Sequence, residues 1–218
     1  MKTVRIDIVS DVACPWCAIG YKRLEQAMTE VAGEVAVTIQ WLPFQLNPEL
    51  PQEGEPILDH LMAKYGRSAE EMEAAQAHMT ELAHGLGLDF TRMHERRARN
   101  TFDAHRLLAW ARERGFQTEL SLALFDAYFG RAANVSDPAV LRGVVDAAGL
   151  PGDEAERILA GDDYAEQVRT EETRYKQAGI TGVPAFILNQ KYLVQGAQEP
   201  ETLVAALREA ADAEVATA

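Results

Sequence analysis

The spacing of apolar residues changes period several times along the chain. At residues 4–9 Val4, Ile6 and Ile8 alternate with Arg5 and Asp7, which predicts a strand with Asp7 on its polar face, the alternative being a strand covered on both faces with the Asp7 carboxylate buried. Over residues 15–31 the apolar positions Ile19, Leu24, Ala27, Met28 and Val31 fall at near-helical spacing, and Gly33 stops the helix. Residues 35–44 are rich in Val, Ile, Thr and Trp and read as a second strand. A β–α–β unit of this kind pairs its strands in parallel through a right-handed crossover. A proline-rich loop at 47–56 follows. Residues 57–178 then read as almost entirely helical. Ser68 with Glu71 makes a capping box, and Gly85 and Gly87 end that helix. Asn100 with Asp103 caps the next helix, which closes at Gly115, and Thr118 opens another that runs to Gly130. Asp137-Pro138 supplies an N-cap with proline at the first helical position. A short helix begins at Pro151-Gly152-Asp153, and Asp162 opens a long one ending at Gly179. Strand character returns at 185–189 and 192–195 around the turn Asn189-Gln190-Lys191, an antiparallel hairpin. A last amphipathic helix carries Leu203, Val204 and Leu207, with a frayed tail expected after Ala211.

This order predicts an α/β fold. Residues 1–50 and 179–218 build the sheet, and 51–178 form a large all-helical insertion whose last helix packs back on the sheet. A chain of 218 residues with 47% hydrophobic residues can bury a sizeable core. The formal charge of −13 argues against nucleic acid and anionic membranes as partners, since both require clustered Lys and Arg. The basic stretch Arg92–Arg99 is a local exception and reads as a solvated loop and helix start. The N-terminus enters a strand directly with no secretory pattern, and no apolar run approaches a membrane span. A cytoplasmic protein is expected.

The candidate chemistry lies at Cys14-Pro15-Trp16-Cys17, whose cysteines are the only two in the chain. Proline at the second position suits the first turn of a helix, which places Cys14 at the helix N-terminus. Free N–H groups and the helix dipole favour a thiolate there. Cys17, one turn further in, is suited to resolve a mixed disulfide formed at Cys14. Trp16 stands on the exposed dipeptide, where its ring can cover a substrate or pack on the insertion. No second cysteine pair exists to complete a four-ligand zinc site, so no metal is expected. An inert buried pair is the plainer alternative. Asp11, three residues before Cys14, is either a proton acceptor for Cys17 or a capping carboxylate of the loop.

Five segments together carry a family resemblance: 11–20 (DVACPWCAIG), 43–48 (PFQLNP), 100–106 (NTFDAHR), 179–187 (GITGVPAFI) and 196–198 (GAQ). The chain resembles the DsbA-like thioredoxin superfamily. Within it the chain is similar to the FrnE-type cytosolic thiol–disulfide oxidoreductases, which are related to 2-hydroxychromene-2-carboxylate isomerases and kappa-class glutathione transferases. The resemblance implies a thioredoxin-like sheet and a cis Val183-Pro184 bond facing the cysteines, with the Val183 backbone pairing a bound peptide. It also implies that Asn100, Phe102 and His105 line a cleft between insertion and sheet, the alternative for a lone helical histidine such as His105 being a structural role. The isomerase and transferase branches typically carry Ser where Cys14 stands, so the intact pair favours redox chemistry. Ala18 departs from the aromatic residue the family often has after its second cysteine.

The function expected is exchange of disulfides with protein or peptide substrates, with no bound cofactor, glutathione as a redox partner, and a monomeric or homodimeric state. The alternatives are a glutathione-dependent isomerase or transferase acting on a small molecule, and a chaperone-like binding protein. Fold alone does not separate the three.

Overall fold

The computed structural model describes residues 1–51 and 53–215. Its main sheet has four strands in the order β2-β1-β5-β6. The central strand β1 (Lys2–Ser10) pairs in parallel with β2 (Val35–Pro43), from Lys2 opposite Val35 to Ser10 opposite Pro43. The helix α1 (Pro15–Glu30) makes the crossover between them. On its other edge β1 pairs antiparallel with β5 (Ala185–Leu188), and β5 pairs antiparallel with β6 (Tyr192–Gln195). Asn189 and Gln190, both with positive φ, turn that hairpin within the three residues between Leu188 and Tyr192.

Both faces of the sheet are covered, and this corrects the half-exposed strand expected for β1. Val4, Ile6 and Ile8 join the core formed with α1 and the final helix α9 (Pro200–Val215). On the opposite face Val9 packs with Leu42 and Ile180, beside Tyr175 of α8 (Ala165–Gln177). Asp7 lies on this second face and is only 1% exposed, not solvated. Its carboxylate is held by Arg5 Nε at 2.8 Å. Alternation marks one buried face reliably, but it cannot reveal a helix 165 residues later that covers the other.

Between β2 and β5 the chain is mostly helical: α2 (Ile57–Tyr65), α3 (Ala69–Gly85), α4 (Phe102–Arg112), α5 (Gln117–Phe125), α6 (Pro138–Ala147), α7 (Gly152–Ala160) and α8. The Ser68/Glu71 capping box and the Asp137-Pro138 start are both present. Four details differ from the sequence reading. A two-stranded ladder joins β3 (Glu55–Pro56) to β4 (Arg97–Ala98), too short to leave a periodic signal. Helix α5 passes into a π turn at Asp126–Gly130, and α8 starts after Tyr164, whose left-handed φ of 63° interrupts the segment begun at Asp162. Helix α9 continues beyond Ala211 to Val215, while residues 216–218 lie outside the described chain.

Helix α4 is the hub of this block, with all eight residues 104–111 buried. The Arg112–Glu171 pair ties it to α8, and Arg112 Nη2 donates to the carbonyl of Trp41 on β2. Glu172 of α8 accepts from the Gln45 N–H just beyond β2. These bonds fix the helical block against the end of β2, which pairs with the strand that leads to the cysteines.

Candidate active site

Strand β1 ends at Ser10, and the turn Asp11-Val12-Ala13 delivers the chain into α1. The Cys14 N–H closes that turn on the Asp11 carbonyl at 3.0 Å. Cys14 is itself the N-cap of α1, with extended φ/ψ of −94° and 111°, and Pro15 occupies the first helical position. No acidic residue lies in the first turn, so no carboxylate competes with a thiolate for the positive end of the helix. Both cysteines are in the free thiol form.

Their surroundings differ. Cys14 borders an open cleft, although it is only 4% exposed, less than a freely accessible nucleophile would suggest. Cys17 is completely buried. Burial raises the Cys17 thiol well above its ordinary 9.0, and its hydrogen bond to Cys14 and the charge there raise it further. The Ser10 side chain and Asp11 backbone bond the Cys17 sulfur and act in the opposite sense, but they are the smaller influences. Cys17 is thereby held as a proton-bearing thiol beside Cys14. Trp16 is 40% exposed at the cleft edge, as its place on the dipeptide implied.

The Val183-Pro184 peptide bond is cis. The Cys14 Sγ lies 3.6 Å from the Val183 carbonyl oxygen. Gly20 lets the two segments meet. A Cβ there would come within 3.1 Å of the Pro184 ring, 3.2 Å of Phe186 and 3.3 Å of Ala197. A larger residue there would require these neighbours to give way.

Asp11 has a structural occupation. One carboxylate oxygen accepts from the Ala13 N–H at 3.2 Å, and the other accepts from the Leu46 N–H at 2.7 Å. The carboxylate thus joins the loop after β1 to the loop after β2. His105 Nε2 lies 3.5 Å from Asp11 and 3.0 Å from the Phe44 carbonyl oxygen, buried behind the site.

The cleft beside Cys14 has a volume of about 600 Å³. Val183 and Gly182 form one side of it, and α2 and α3 form the other through residues such as Leu61, Met72, Ala75 and Met79. Arg96 and Tyr128 complete the lining. Asn100, Phe102 and His105 do not line it, which corrects the expectation drawn from the family-like segment. Asn100 bonds the Pro48 carbonyl and the Phe102 N–H, Phe102 packs under the Arg169 guanidinium, and His105 supports the loops from behind. The helical block does cover the cysteines, but through other residues. Arg96 is a second correction, being buried at 3% exposure where the basic stretch was expected to be solvated. Charge counting carries no signal that one arginine of such a run turns inward. Met72, Met79 and Tyr128 are among the cleft walls.

Among the described residues no group of three or more His, Cys, Asp or Glu is placed to hold a metal ion. No helix among them is long and apolar enough to cross a membrane. Two thiols at one helix start, one bordering an open cleft and one buried behind it, can cycle between dithiol and disulfide.

Comparison with known proteins agrees with this geometry. The profile of the DSBA-like thioredoxin domain matches residues 5–208. A probable DsbA oxidoreductase from Streptomyces coelicolor superposes with a TM-score of 0.87 at 37% identity, over 95% of this chain and 89% of that one. The uncharacterised YwbO of Bacillus subtilis is 26% identical over 85% of this chain and 87% of its own length. The thiol:disulfide interchange protein DsbL of Lelliottia amnigena is 26% identical over 85% of this chain and 68% of its own.

Proposed function

Since the chain belongs to the family of DSBA-like thioredoxin domains, we propose that it is a thiol–disulfide oxidoreductase acting on disulfides through Cys14 and Cys17. The observation that carries this reading is the asymmetry of the pair: Cys14 caps α1 at the cleft, while Cys17 is buried behind it with its thiol pKa raised. Exchange needs a nucleophile that can be reached and a second thiol that stays protonated until the mixed disulfide has formed. Cys14 attacks one sulfur of the substrate disulfide, the substrate S–S bond breaks, and the departing sulfur leaves as a thiol. Cys17 then loses its proton and attacks the Cys14 sulfur, releasing the second substrate thiol. The protein ends as the disulfide, and the substrate has gained two electrons. The reverse sequence oxidises a dithiol substrate.

The remaining assignments follow the same logic. Asp11 positions the cysteine loop through its bonds to Ala13 and Leu46. Pro15 starts the helix, Trp16 covers the incoming sulfur, and the Val183 backbone beside Pro184 meets the substrate chain as an added strand would. Residues 1–50 and 179–218 act as the catalytic sheet unit, and 51–178 act as its cover. Glutathione serves as the redox partner that returns the pair to its working state. A lone cysteine pair used for exchange suits a reducing compartment, here the cytoplasm.

The test is equilibration of the protein with a glutathione redox buffer, followed by transfer to a protein disulfide. A Cys14–Cys17 disulfide should form and break reversibly, and the reduced protein should open a protein disulfide. A pair that stays as two thiols under oxidising glutathione, or that oxidises without transferring to any substrate, would end the proposal.

A further inference from the structure

The cleft beside Cys14 differs in charge from the rest of the molecule. The chain as a whole carries −13, yet the charged side chains lining the cleft are Lys64, Arg67 and Arg96, with no Asp or Glu among them. The position of Arg96 is the decisive feature. It is buried to 3% exposure and, among the described residues, has no carboxylate partner. One guanidinium nitrogen donates to Gln76 at 3.0 Å and to the Met93 carbonyl, and its Nε is buried with no hydrogen-bond partner. The Tyr128 and Phe129 rings, 5.7 and 5.3 Å from the guanidinium carbon, offset part of the charge's desolvation. Burial disfavours the Arg96 cation, and the Tyr128 hydroxyl and the charge at Cys14 offset that only in part. His60 adds a second unfilled position. Its Nδ1 bonds Glu55, but its Nε2 is buried without a partner, and the residue lines the same cleft. Lys64, exposed at the entrance, donates to Asn47 and to the Leu46 carbonyl and, among the described residues, pairs with no carboxylate.

We propose that the cleft selects small disulfides bearing a carboxylate, which Arg96 receives on the cleft wall with Lys64 and His60 beside it while the disulfide sulfur meets Cys14. This rests on the thiol–disulfide reading above and names its substrate class. The reaction balances with the substrate as the oxidant. The dithiol protein and one RSSR give the Cys14–Cys17 disulfide and two RSH, two electrons and two protons passing to the substrate. The guanidinium fork receives a planar carboxylate through paired N–H donors, and in a cleft with apolar walls this contact discriminates more than it would in open water. The roughly 600 Å³ of space accepts a small molecule whole.

The experiment mixes the reduced full chain with three symmetric small disulfides: anionic 3,3′-dithiodipropionate, neutral bis(2-hydroxyethyl) disulfide and cationic cystamine. Each rate is divided by that of 2-mercaptoethanol with the same disulfide, which removes intrinsic reactivity. The anionic substrate should lead the neutral one by about tenfold at low salt and the cationic one by more. Arg96→Gln should abolish the lead, bringing the normalised anionic-to-neutral rate ratio to about one, and Arg96→Lys should keep part of it. If Arg96→Gln does not fold by circular dichroism, Lys64→Gln, at an exposed position, decides instead and should reduce the lead by about twofold to threefold. Equal normalised rates for anionic and neutral substrates in the unmodified protein would overturn the proposal while leaving the exchange reading intact. No reaction with any of the three would remove the exchange reading itself.

Discussion

The Sγ of Cys14 lies 3.6 Å from the carbonyl oxygen of Val183, a residue 169 positions away in the chain. This contact joins the N-terminus of α1 to the segment entering β5, and Gly20 makes the approach possible. A Cβ at position 20 would meet three neighbours at 3.1 to 3.3 Å, tighter than ordinary packing. Gly20→Ala should therefore cost a modest amount of stability, and Gly20→Val about 1–3 kcal/mol, the range of overpacked sites. Both should slow exchange by moving Cys14 from Val183. Denaturant melts and single-turnover rates check this. A Gly20→Val protein with unchanged stability and rate would show that the close approach is not required.

The unequal burial of the cysteines assigns their order of action. Cys17→Ala should accumulate a mixed disulfide with substrate, because the attacking sulfur remains and the resolving one is gone. Cys14→Ser should accumulate none. Intact-mass measurement after a brief exposure to substrate separates the two. Trapping at Cys17 in the Cys14→Ser protein would reverse the assignment.

The raised pKa of Cys17 has consequences at high pH. Burial is its largest cause, followed by the hydrogen bond to Cys14 and the charge there. In Cys14→Ser the charge is lost and burial remains. The Cys17 alkylation midpoint should fall relative to the unmodified protein yet stay above the ordinary 9.0. Stability follows with a definite sign. An acid whose folded pKa exceeds its unfolded one stabilises the fold below the unfolded value, and that contribution is lost as pH rises towards the folded value. The reduced protein should therefore lose stability relative to Cys17→Ala from about pH 9 upward, with a slope of at most about 1.4 kcal/mol per pH unit. Parallel pH curves for the two proteins between 8 and 10.5 would contradict the burial argument.

Asp11 is expected to act through the loops it holds. Asp11→Ala leaves the Ala13 and Leu46 N–H groups without their acceptor, and each buried unsatisfied donor costs about 1–3 kcal/mol. Asp11→Asn keeps one amide oxygen and should lose less. The urea midpoint should fall for both, with Asp11→Ala the weaker protein. An unchanged midpoint would show that water satisfies these donors and that the clamp contributes nothing.

Much of this was legible in the sequence because its signals are local. The Cys14-Pro15 step, the Ser68/Glu71 box, Asp137-Pro138 and the Asn189-Gln190 turn each act through backbone geometry within a few residues, and the strand periods set the sheet. The family-like segments pointed to Val183-Pro184, whose contact with Cys14 is long in sequence but tied to the fold. What remained hidden depends on packing between distant elements. Asp7 is buried by α8, Arg96 turns inward from a run of exposed charges, and Asn100, Phe102 and His105 serve the loops behind the cysteines. No period or composition encodes which of several polar side chains a later helix will cover.

The cover of the cleft should sort substrates by size. Helices α2 and α3 wall the space beside Cys14, and Ala75 is a small residue on that wall. A tryptophan there would project into the cleft without removing any charge or either thiol. Ala75→Trp should slow exchange with a protein disulfide about tenfold, equivalent to some 1.4 kcal/mol of activation free energy. A small neutral disulfide, which needs less of the cleft, should change by no more than about threefold. His105→Ala provides the contrast. It lies behind the loops, bonded to the Phe44 carbonyl, and should slow both substrates alike by loosening the frame. Stopped-flow rates for the two substrates with each variant decide the matter. Equal effects of Ala75→Trp on both would mean that α3 encloses the site without selecting what enters it.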